Sequence, residues 1–399
     1  MPTTLSSKGL AVKSSSTLEI TAKAKAMRAS GIDVVPFGAG EPDFPTPENI
    51  CEAAIKAIRD GKTKYTPASG IRELKEAVSK KFKDFNKVDY APEQIVISNG
   101  GKQTLHNIFS AIINSGDEVI VPVPYWLTYP EMIRLVDGVP VFVQCTKENN
   151  FKLTAEDLLS AITPRTKAVI INNPQNPTGT LYTKYELETI GNIAVENDFF
   201  IISDEIYEML SYSSKPYTSM ASLSPEIYAH TITSSGVSKS YSMTGWRIGY
   251  SASPIEVAKV ISSIQSHQSS NPSSISQYAA LEALTGPQDT VRHMAEVFEK
   301  RRDFIYERIC EMRFVTALRP KGAFYLFVDC SQAIGTRYRG ERIKNIKQFA
   351  DILLNDFYVA VVPCADFGMP KHIRLSYAIS EEEISKGMDR IESFLNELL

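Results

Sequence analysis

A stretch in the second half of the 399-residue chain places one amine and one guanidinium among small and hydroxylated residues. It reads GVSKSYSMTGWRIGY over 236–250, with Lys239 and Arg247 eight positions apart. A partly desolvated lysine amine can form a Schiff base, because a lower pKa frees the nitrogen lone pair. A nearby arginine suits a phosphate, which its fixed fork of N–H donors can bind. Considered alone, each residue has an ordinary alternative, a surface lysine or an ion-paired arginine.

Other residues that could do chemistry follow short apolar runs elsewhere in the chain. They are Gly101 after 94–98, Trp126 after 118–123, Asn176 after 167–172, and Asp204 with Tyr207 after 199–203. Asp204 could instead cap a helix, and Asn176 lies in NPQNPTG, whose residue types favour turns for local reasons. Tyr207 and Trp126 could simply fill the core. The combination of these side chains is therefore more informative than any one of them.

The combination favours pyridoxal 5′-phosphate as a cofactor. Lys239 would carry it, and Arg247 with the glycine-rich helix start at Gly101 would bind its phosphate. Asp204 would pair with the protonated ring nitrogen, and Trp126 would stack on the ring. A nucleotide loop is not expected, because it needs glycine directly before the lysine and again five residues earlier, and those positions hold serine and threonine.

The elements that must position these residues form an alternating pattern. Apolar, β-branched runs predict buried strands at 94–98, 118–123, 167–172, 199–203 and 231–234. Helical patterns at 101–113 and 183–198 lie between them. This alternation predicts an α/β fold with a mostly parallel sheet covered by helices on both faces. Ligands of such sheets bind beyond the carboxyl ends of the strands, where the candidate residues follow.

The C-terminal part of the chain has a different pattern. A long helical segment at 294–312 leads to runs at 322–330, 345–356, 359–364 and 372–378 and to a final amphipathic helix. This order predicts a smaller α+β domain, with which the N-terminal residues pack. We therefore expect an N-terminal arm and part of the small domain over 1–45, a large cofactor-binding domain over 46–290, and a small C-terminal domain over 291–399.

Composition excludes several classes of partner. Hydrophobic residues make up 43% of the chain, and 43 basic against 46 acidic residues give a net charge of −3, which favours neither nucleic acid nor a membrane. The five cysteines lack metal-binding spacing, so we expect no metal and a reducing compartment. A cytoplasmic location follows. A targeting segment is the alternative, because no acidic residue precedes Glu19.

Several ordered motifs carry a family resemblance over nearly the whole chain. They are GAGEPDFPTP (38–47), KYTPASGIREL (64–74), NGGKQ (99–103), NPQNPTG, SDEIYE (203–208), MTGWRIGY and HIRLSYA. With them the chain resembles class I pyridoxal-phosphate aminotransferases of fold type I. It is most similar to the bacterial and plant aspartate aminotransferase branch with the MTGWRIGY signature. The resemblance implies a seven-stranded, mostly parallel sheet sandwiched by helices, plus a smaller α+β domain.

The resemblance also implies roles around the cofactor ring. Lys239 would hold the cofactor as a Schiff base and then move a proton between the substrate Cα and the cofactor. Asp204 would keep the ring nitrogen protonated. Asn176 and Tyr207 would hydrogen-bond the ring oxygen, and Trp126 would stack on the ring.

A second set of implied roles concerns the phosphate. Arg247, Ser238 and backbone groups of Gly101 and Lys102 would bind it, and Tyr65 would reach it from a neighbouring subunit. A contact of Tyr65 with the phosphate of a neighbouring subunit implies a homodimer with shared active sites. Gly236 departs from many relatives, which carry a phosphate-binding hydroxyl there. Either Ser235 or Ser238 is expected to replace that hydroxyl.

The substrate is an amino acid or a 2-oxoacid by the same resemblance. Arg374, Asn176 and the backbone near Gly40 would bind the α-carboxylate, and Trp126 would contact the substrate. Residues 248–291 contain no arginine for a second carboxylate, so Lys102 and Thr17 are expected to bind it. We therefore expect transfer of the amino group of L-aspartate to 2-oxoglutarate. The alternatives are a prephenate, aromatic or alanine aminotransferase, a pyridoxal-phosphate-dependent Cβ lyase, and a non-catalytic relative.

Overall fold

The computed structural model describes residues 5–14 and 16–399. The helices in this part are α1 (Ser7–Ala11), α2 (Ser16–Ala29), α3 (Glu48–Arg59), α4 (Arg72–Lys81), α5 (Gly101–Ile112), α6 (Thr128–Leu135), α7 (Ala155–Ala161), α8 (Lys184–Glu196), α9 (Pro225–His230), α10 (Ile255–Gln268), α11 (Ser274–Thr285), α12 (Asp289–Glu311), α13 (Ile346–Asp356) and α14 (Glu381–Asn396). The strands are β1 (Ile95–Ser98), β2 (Glu118–Val123), β3 (Val139–Gln144), β4 (Thr166–Asn172), β5 (Phe200–Asp204), β6 (Thr231–Gly236), β7 (Gly249–Ala252), β8 (Thr316–Ala317), β9 (Tyr325–Asp329), β10 (Arg337–Tyr338), β11 (Glu341–Arg342), β12 (Val362–Pro363) and β13 (His372–Ser376).

Seven strands form the large sheet in the order β1-β7-β6-β5-β4-β2-β3. Strands β2 to β6 pair in parallel, and β7 is antiparallel to both of its neighbours. Residues of β1, β2 and β6 are buried throughout, as expected of a sheet covered on both faces. The predicted fold class is therefore confirmed. The sequence pattern missed β3, which is a partly exposed edge strand, and β7, whose sequence GYSA has few apolar residues.

The register of the parallel strands aligns their carboxyl ends. Asn172 at the end of β4 lies beside Asp204 at the end of β5, and Asp204 lies beside Ser234 of β6. Helix α5 begins at Gly101, shortly after β1, and is preceded by Gly100 as its N-cap, whose φ of +83° suits glycine. Helix α8 begins with a reciprocal capping box between Thr183 and Glu186. Local sequence signals thus mark where α5 and α8 begin, and polar residues follow the ends of the parallel strands.

A second, antiparallel sheet has the order β12-β13-β9-β8. It shares a buried core with α12, α13 and α14, and Val35 and Phe37 of the N-terminal segment belong to that core. Backbone bonds join Val35 to Tyr358 and Ala360 at 2.9 Å each. Only Val362–Pro363 of the predicted run 359–364 forms a strand. The domain boundaries after residues 45 and 290 stay predictions, and residues 1–4 and 15 of the first segment lie outside the described residues.

Within residues 5–14 and 16–399, no helix has the length and apolar character that crossing a membrane requires. The same part of the chain holds no group of three or more His, Cys, Asp or Glu side chains suited to a metal ion. All five cysteines are free thiols.

Candidate active site

A cavity of about 400 Å³ opens at the carboxyl edge of the large sheet. The predicted site residues in its wall are Thr17, Gly40, Gly101, Lys102, Trp126, Asn176, Asp204, Tyr207, Ser238, Lys239, Arg247 and Arg374. Tyr65 is the exception among the predicted residues. Its side chain lies outside this wall and is 90% exposed. Its predicted contact across a dimer stays a prediction.

Lys239 lies in the cavity wall shortly after β6, and its Nζ donates to the Gly40 carbonyl at 2.5 Å. Burial, together with the charges of Arg374 and Arg247, lowers the pKa of this amine to about 8, against the attraction of Glu41 and Asp204. At pH 7 a pKa near 8 leaves roughly a tenth of the amine uncharged, far more than for an ordinary lysine. Lys239 is therefore a prepared nucleophile and base.

Asp204 presents a buried carboxylate at the end of β5. Tyr129 donates to its Oδ2 at 2.6 Å, and the Ile206 backbone donates to its Oδ1 at 3.3 Å. Burial raises the pKa of Asp204 to about 6, although both hydrogen bonds and Lys239 favour the charged form. No sequence motif pointed to Tyr129. It lies on α6, three residues after Trp126, and their rings meet edge-on at 5.3 Å.

Arg374 belongs to β13 of the smaller sheet and also lines the cavity. Its Nη1 donates to the Asn176 Oδ1 at 3.0 Å, and its guanidinium carbon lies 4.2 Å from the centre of the Tyr325 ring. Among the described residues, its buried Nε has no hydrogen-bond partner. Asn172 holds the Asn176 backbone amide at 2.7 Å. The guanidinium is thus oriented and retains a donor for an anionic ligand.

Glycines bring Arg247 close to the start of α5. A Cβ at Gly100 would lie 2.5 Å from an Arg247 guanidinium nitrogen, and a Cβ at Gly249 would lie 2.5 Å from the Gly101 amide nitrogen. Arg247 itself donates to the carbonyl of Thr244 at 2.8 Å. A helix N-terminus with a guanidinium beside it is a favourable place for a phosphate.

The two serines that could replace the hydroxyl missing at Gly236 occupy different places. Ser238 lies in the cavity wall, whereas Ser235 donates to the buried carboxylate of Glu208 at 2.6 Å. A Cβ at Gly236 would lie 2.9 Å from the Gly249 Cα, so close approach of β6 and β7 requires glycine there. Ser238 is therefore the candidate that remains for the missing hydroxyl.

Lys102 and Thr17 both lie in the cavity wall, and Lys102 is next to Trp126. The Lys102 Nζ is 5.2 Å from the centre of the Trp126 ring, and burial together with the charge of Arg247 lowers the pKa of Lys102. A lysine over an aromatic face keeps its charge available to a ligand while its stem is buried.

An amine with a lowered pKa, a buried carboxylate, an arginine beside a helix N-terminus and an oriented guanidinium thus line one cavity. A family model for aminotransferase class I and II matches residues 32–391. The chain belongs to this family.

Close relatives of this aminotransferase match it over nearly its whole length. It is 49% identical to an aspartate aminotransferase of Bacillus sp. (strain YM-2) over 96% of both chains. It is also 49% identical to a probable aspartate/prephenate aminotransferase of Aquifex aeolicus (strain VF5), over 98% of this chain and all of the other. The crystal structure of the aspartate aminotransferase from Rhizobium meliloti matches all of the chain, with a TM-score of 0.95 and 39% identity.

The aminotransferase also has a buried charge cluster next to the turn that carries Asp204 and Tyr207. Lys81 and Glu208 form an ion pair with side chains only 5% and 3% exposed. The Asn86 amide donates to Glu208 at 2.6 Å and to Glu205 at 3.1 Å. Burial and the neighbouring Glu208 raise the pKa of Glu205 to about 7. The sequence pattern did not reveal this cluster, although SDEIYE places both acids beside the predicted site.

Proposed function

We propose that this aminotransferase binds pyridoxal 5′-phosphate and transfers the amino group of L-aspartate to 2-oxoglutarate. The observation that carries the proposal is the convergence of Lys239, Asp204 and Arg247 on one cavity. The cofactor fits these residues in two respects. The space between Gly100 and Arg247 has no room for a further side chain, as a close approach to a phosphate requires. Asp204 supplies a buried carboxylate suited to a positively charged ring nitrogen.

When bound, the cofactor would supply a ring that takes up the electron pair left when the substrate Cα loses its proton. Lys239 would anchor the cofactor between turnovers and carry that proton on its Nζ, since its lowered pKa suits proton exchange near neutrality. Asp204, oriented by Tyr129, would hold the proton on the ring nitrogen. Arg247, Ser238 and the start of α5 at Gly101 and Lys102 would bind the phosphate.

The remaining wall residues would hold the ring and the substrate. Trp126 would cover the ring face, and Asn176 with Tyr207 would contact the ring oxygen. Arg374, Asn176 and Gly40 would bind the substrate α-carboxylate. The orphaned Nε of Arg374 supports this role, because a buried donor without a partner is costly until a ligand pairs with it.

Lys102 and Thr17 would bind the second carboxylate of the substrate. Both lie in the cavity wall, and Lys102 adds a cation there besides Arg374. The names of the Bacillus and Aquifex relatives support aspartate as the donor. The Aquifex name supports prephenate as a second candidate substrate, since prephenate also carries a second carboxylate.

A homodimer belongs to the same proposal. Tyr65 is almost fully exposed and is separated from the cavity of its own chain. An aromatic phenol left on the surface in this way is suited to a contact with another subunit, where its hydroxyl would reach the phosphate.

A half-reaction tests the function. The purified, cofactor-loaded protein is mixed with aspartate alone, the absorbance spectrum is recorded and oxaloacetate is assayed. Glutamate, alanine, phenylalanine and arogenate follow separately. Stoichiometric conversion of the cofactor to its amino form with aspartate and glutamate is the expected result. Continuous release of pyruvate and ammonia would identify a Cβ lyase and contradict the proposal.

The variant Lys102→Ser tests the substrate assignment. We expect its kcat/KM for aspartate to fall at least about tenfold, because a charged hydrogen bond to the second carboxylate is lost. The value for alanine is expected to change little. Lys347→Ser, at an exposed position on α13, is the matched control. An unchanged kcat/KM for aspartate in Lys102→Ser would refute the role of Lys102.

A further inference from the structure

Tyr325 stands where two functional groups of the cavity meet. It begins β9 of the smaller sheet and is only 1% exposed. Its hydroxyl lies 2.9 Å from the hydroxyl of Tyr207, which follows β5 of the large sheet. Its ring centre lies 4.2 Å from the guanidinium carbon of Arg374. One side chain thus contacts both the proposed α-carboxylate ligand and the phenol proposed to lie beside the ring oxygen.

The ring of Tyr325 restricts the guanidinium of Arg374. Strands β9 and β13 are antiparallel neighbours, with Arg374 opposite Phe327, two residues beyond Tyr325. An aromatic face at this distance attracts a guanidinium and favours a stacked orientation, which leaves the N–H edge free. Asn176 takes one of the edge donors. A carboxylate can then use donors whose plane is already set, so that less conformational entropy is lost on binding.

The hydroxyl of Tyr325 acts on a different group. In a pair of phenols only one proton lies in the shared hydrogen bond, so the other hydroxyl can donate elsewhere. Burial raises the pKa of both phenols; at Tyr325 the charge of Arg374 and the bond to Tyr207 oppose this rise, whereas at Tyr207 the neighbouring Tyr325 adds to it. The cationic guanidinium of Arg374, 4.2 Å from the centre of the Tyr325 ring, makes the Tyr325 hydroxyl the better donor of the two. The proton of Tyr207 is left for an acceptor in the cavity.

We propose that Tyr325 is a positioning residue with two separable actions: its ring orients Arg374 for the substrate carboxylate, and its hydroxyl directs the Tyr207 proton into the cavity. The proposal rests on the proposed function. It deepens that function by assigning a residue of the smaller sheet to both halves of the site. Because the two actions use different atoms, two substitutions separate them.

Tyr325→Phe keeps the ring and removes the hydroxyl, whereas Tyr325→Leu removes both. Succinate, a dicarboxylate without an amine, measures carboxylate binding to the cofactor-loaded protein without turnover. Its dissociation constant is expected to rise less than about threefold in Tyr325→Phe and at least about tenfold in Tyr325→Leu, because only the latter loses the stacking. A pH titration of the cofactor absorbance reports the hydroxyl. Its midpoint is expected to shift in Tyr325→Phe.

A double-variant cycle tests whether the hydroxyl acts through Tyr207. The titration midpoint is compared in Tyr207→Phe, in Tyr325→Phe and in the double variant. If the hydroxyl acts through Tyr207, Tyr325→Phe adds no further shift once Tyr207 has lost its hydroxyl. Additive shifts would overturn this half of the proposal. Unchanged succinate binding in Tyr325→Leu would overturn the other half.

Two control variants exclude a general loss of core packing. Tyr377→Phe removes a buried hydroxyl of the same core, which donates to the Ala323 carbonyl at 3.2 Å. Phe349→Leu removes a buried ring of that core on α13. Both are expected to keep the wild-type succinate affinity and titration midpoint, and equal effects in these controls would overturn the proposal. Failure of the proposed function is distinguishable, because wild-type protein would then not convert its cofactor with any amino acid.

Discussion

Replacing Asp204 with asparagine should stabilise the cofactor-free protein while weakening its affinity for the cofactor. The carboxylate is 4% exposed, and its pKa is raised from 3.8 to about 6 because burial penalises the charge. At about 1.4 kcal/mol per pKa unit, the ionised group costs about 3 kcal/mol at neutral pH. Asparagine removes the charge and can still accept the hydrogen bond from Tyr129.

The raised pKa of Asp204 determines the pH range over which the substitution changes the free energy of unfolding. A carboxyl group with a raised pKa in the folded state contributes stability below pH 3.8, and this contribution is lost as the pH rises through about 6. The gain from Asp204→Asn should therefore be small near pH 4.5 and reach up to about 3 kcal/mol at pH 7.5. Urea unfolding of the cofactor-free protein at fixed concentration measures this difference.

Asp351→Asn is the matched control, because Asp351 is exposed on α13 and should give no pH-dependent gain. A gain in Asp204→Asn that is equal at both pH values would refute the reasoning, as would a less stable variant at pH 7.5. With the cofactor bound, we expect the order of stability of the wild-type protein and Asp204→Asn to reverse. The wild-type protein should then be more stable, since its carboxylate pairs with the ring nitrogen.

Three further predictions concern the cavity and the buried charge cluster beside it. Gly100→Ala should destabilise the protein by about 1 kcal/mol or more and raise the cofactor dissociation constant, because its Cβ would collide with Arg247 at a φ of +83°. Gly31→Ala, at φ +85° with no atom within 4 Å, controls for backbone strain alone and should leave cofactor binding unchanged. Tyr129→Phe should raise the pKa of Asp204 further, since it removes a bond to the charged form, and move the pH dependence of cofactor binding upward; an unchanged profile would contradict this. Lys81→Met should cost about 3–5 kcal/mol in urea unfolding by leaving Glu208 buried without its partner, whereas Lys80→Met at an exposed pair should cost less than about 1 kcal/mol; equal losses would argue against the buried pair.

The main arrangement of the site residues could be predicted from the sequence alone. Continuous β-branched runs and the helical patterns between them predicted β1, β2, β4, β5 and β6 within about two residues. Because parallel strands end at the same edge, the residues after those strands could be expected to meet there. Lys239, Asp204 and Asn176 were identified on this ground. They required only local patterns and one topological rule.

The contacts that set the pKa values of those residues could be identified only from the tertiary structure. Tyr129 and Asp204 are 75 positions apart in the chain, and Tyr207 and Tyr325 are 118 apart, so no local pattern links them. Likewise, only the packed structure shows that Ser235 donates to Glu208 while Ser238 lies in the cavity wall. Burial and partner geometry set the pKa values, and both arise only when distant segments pack together.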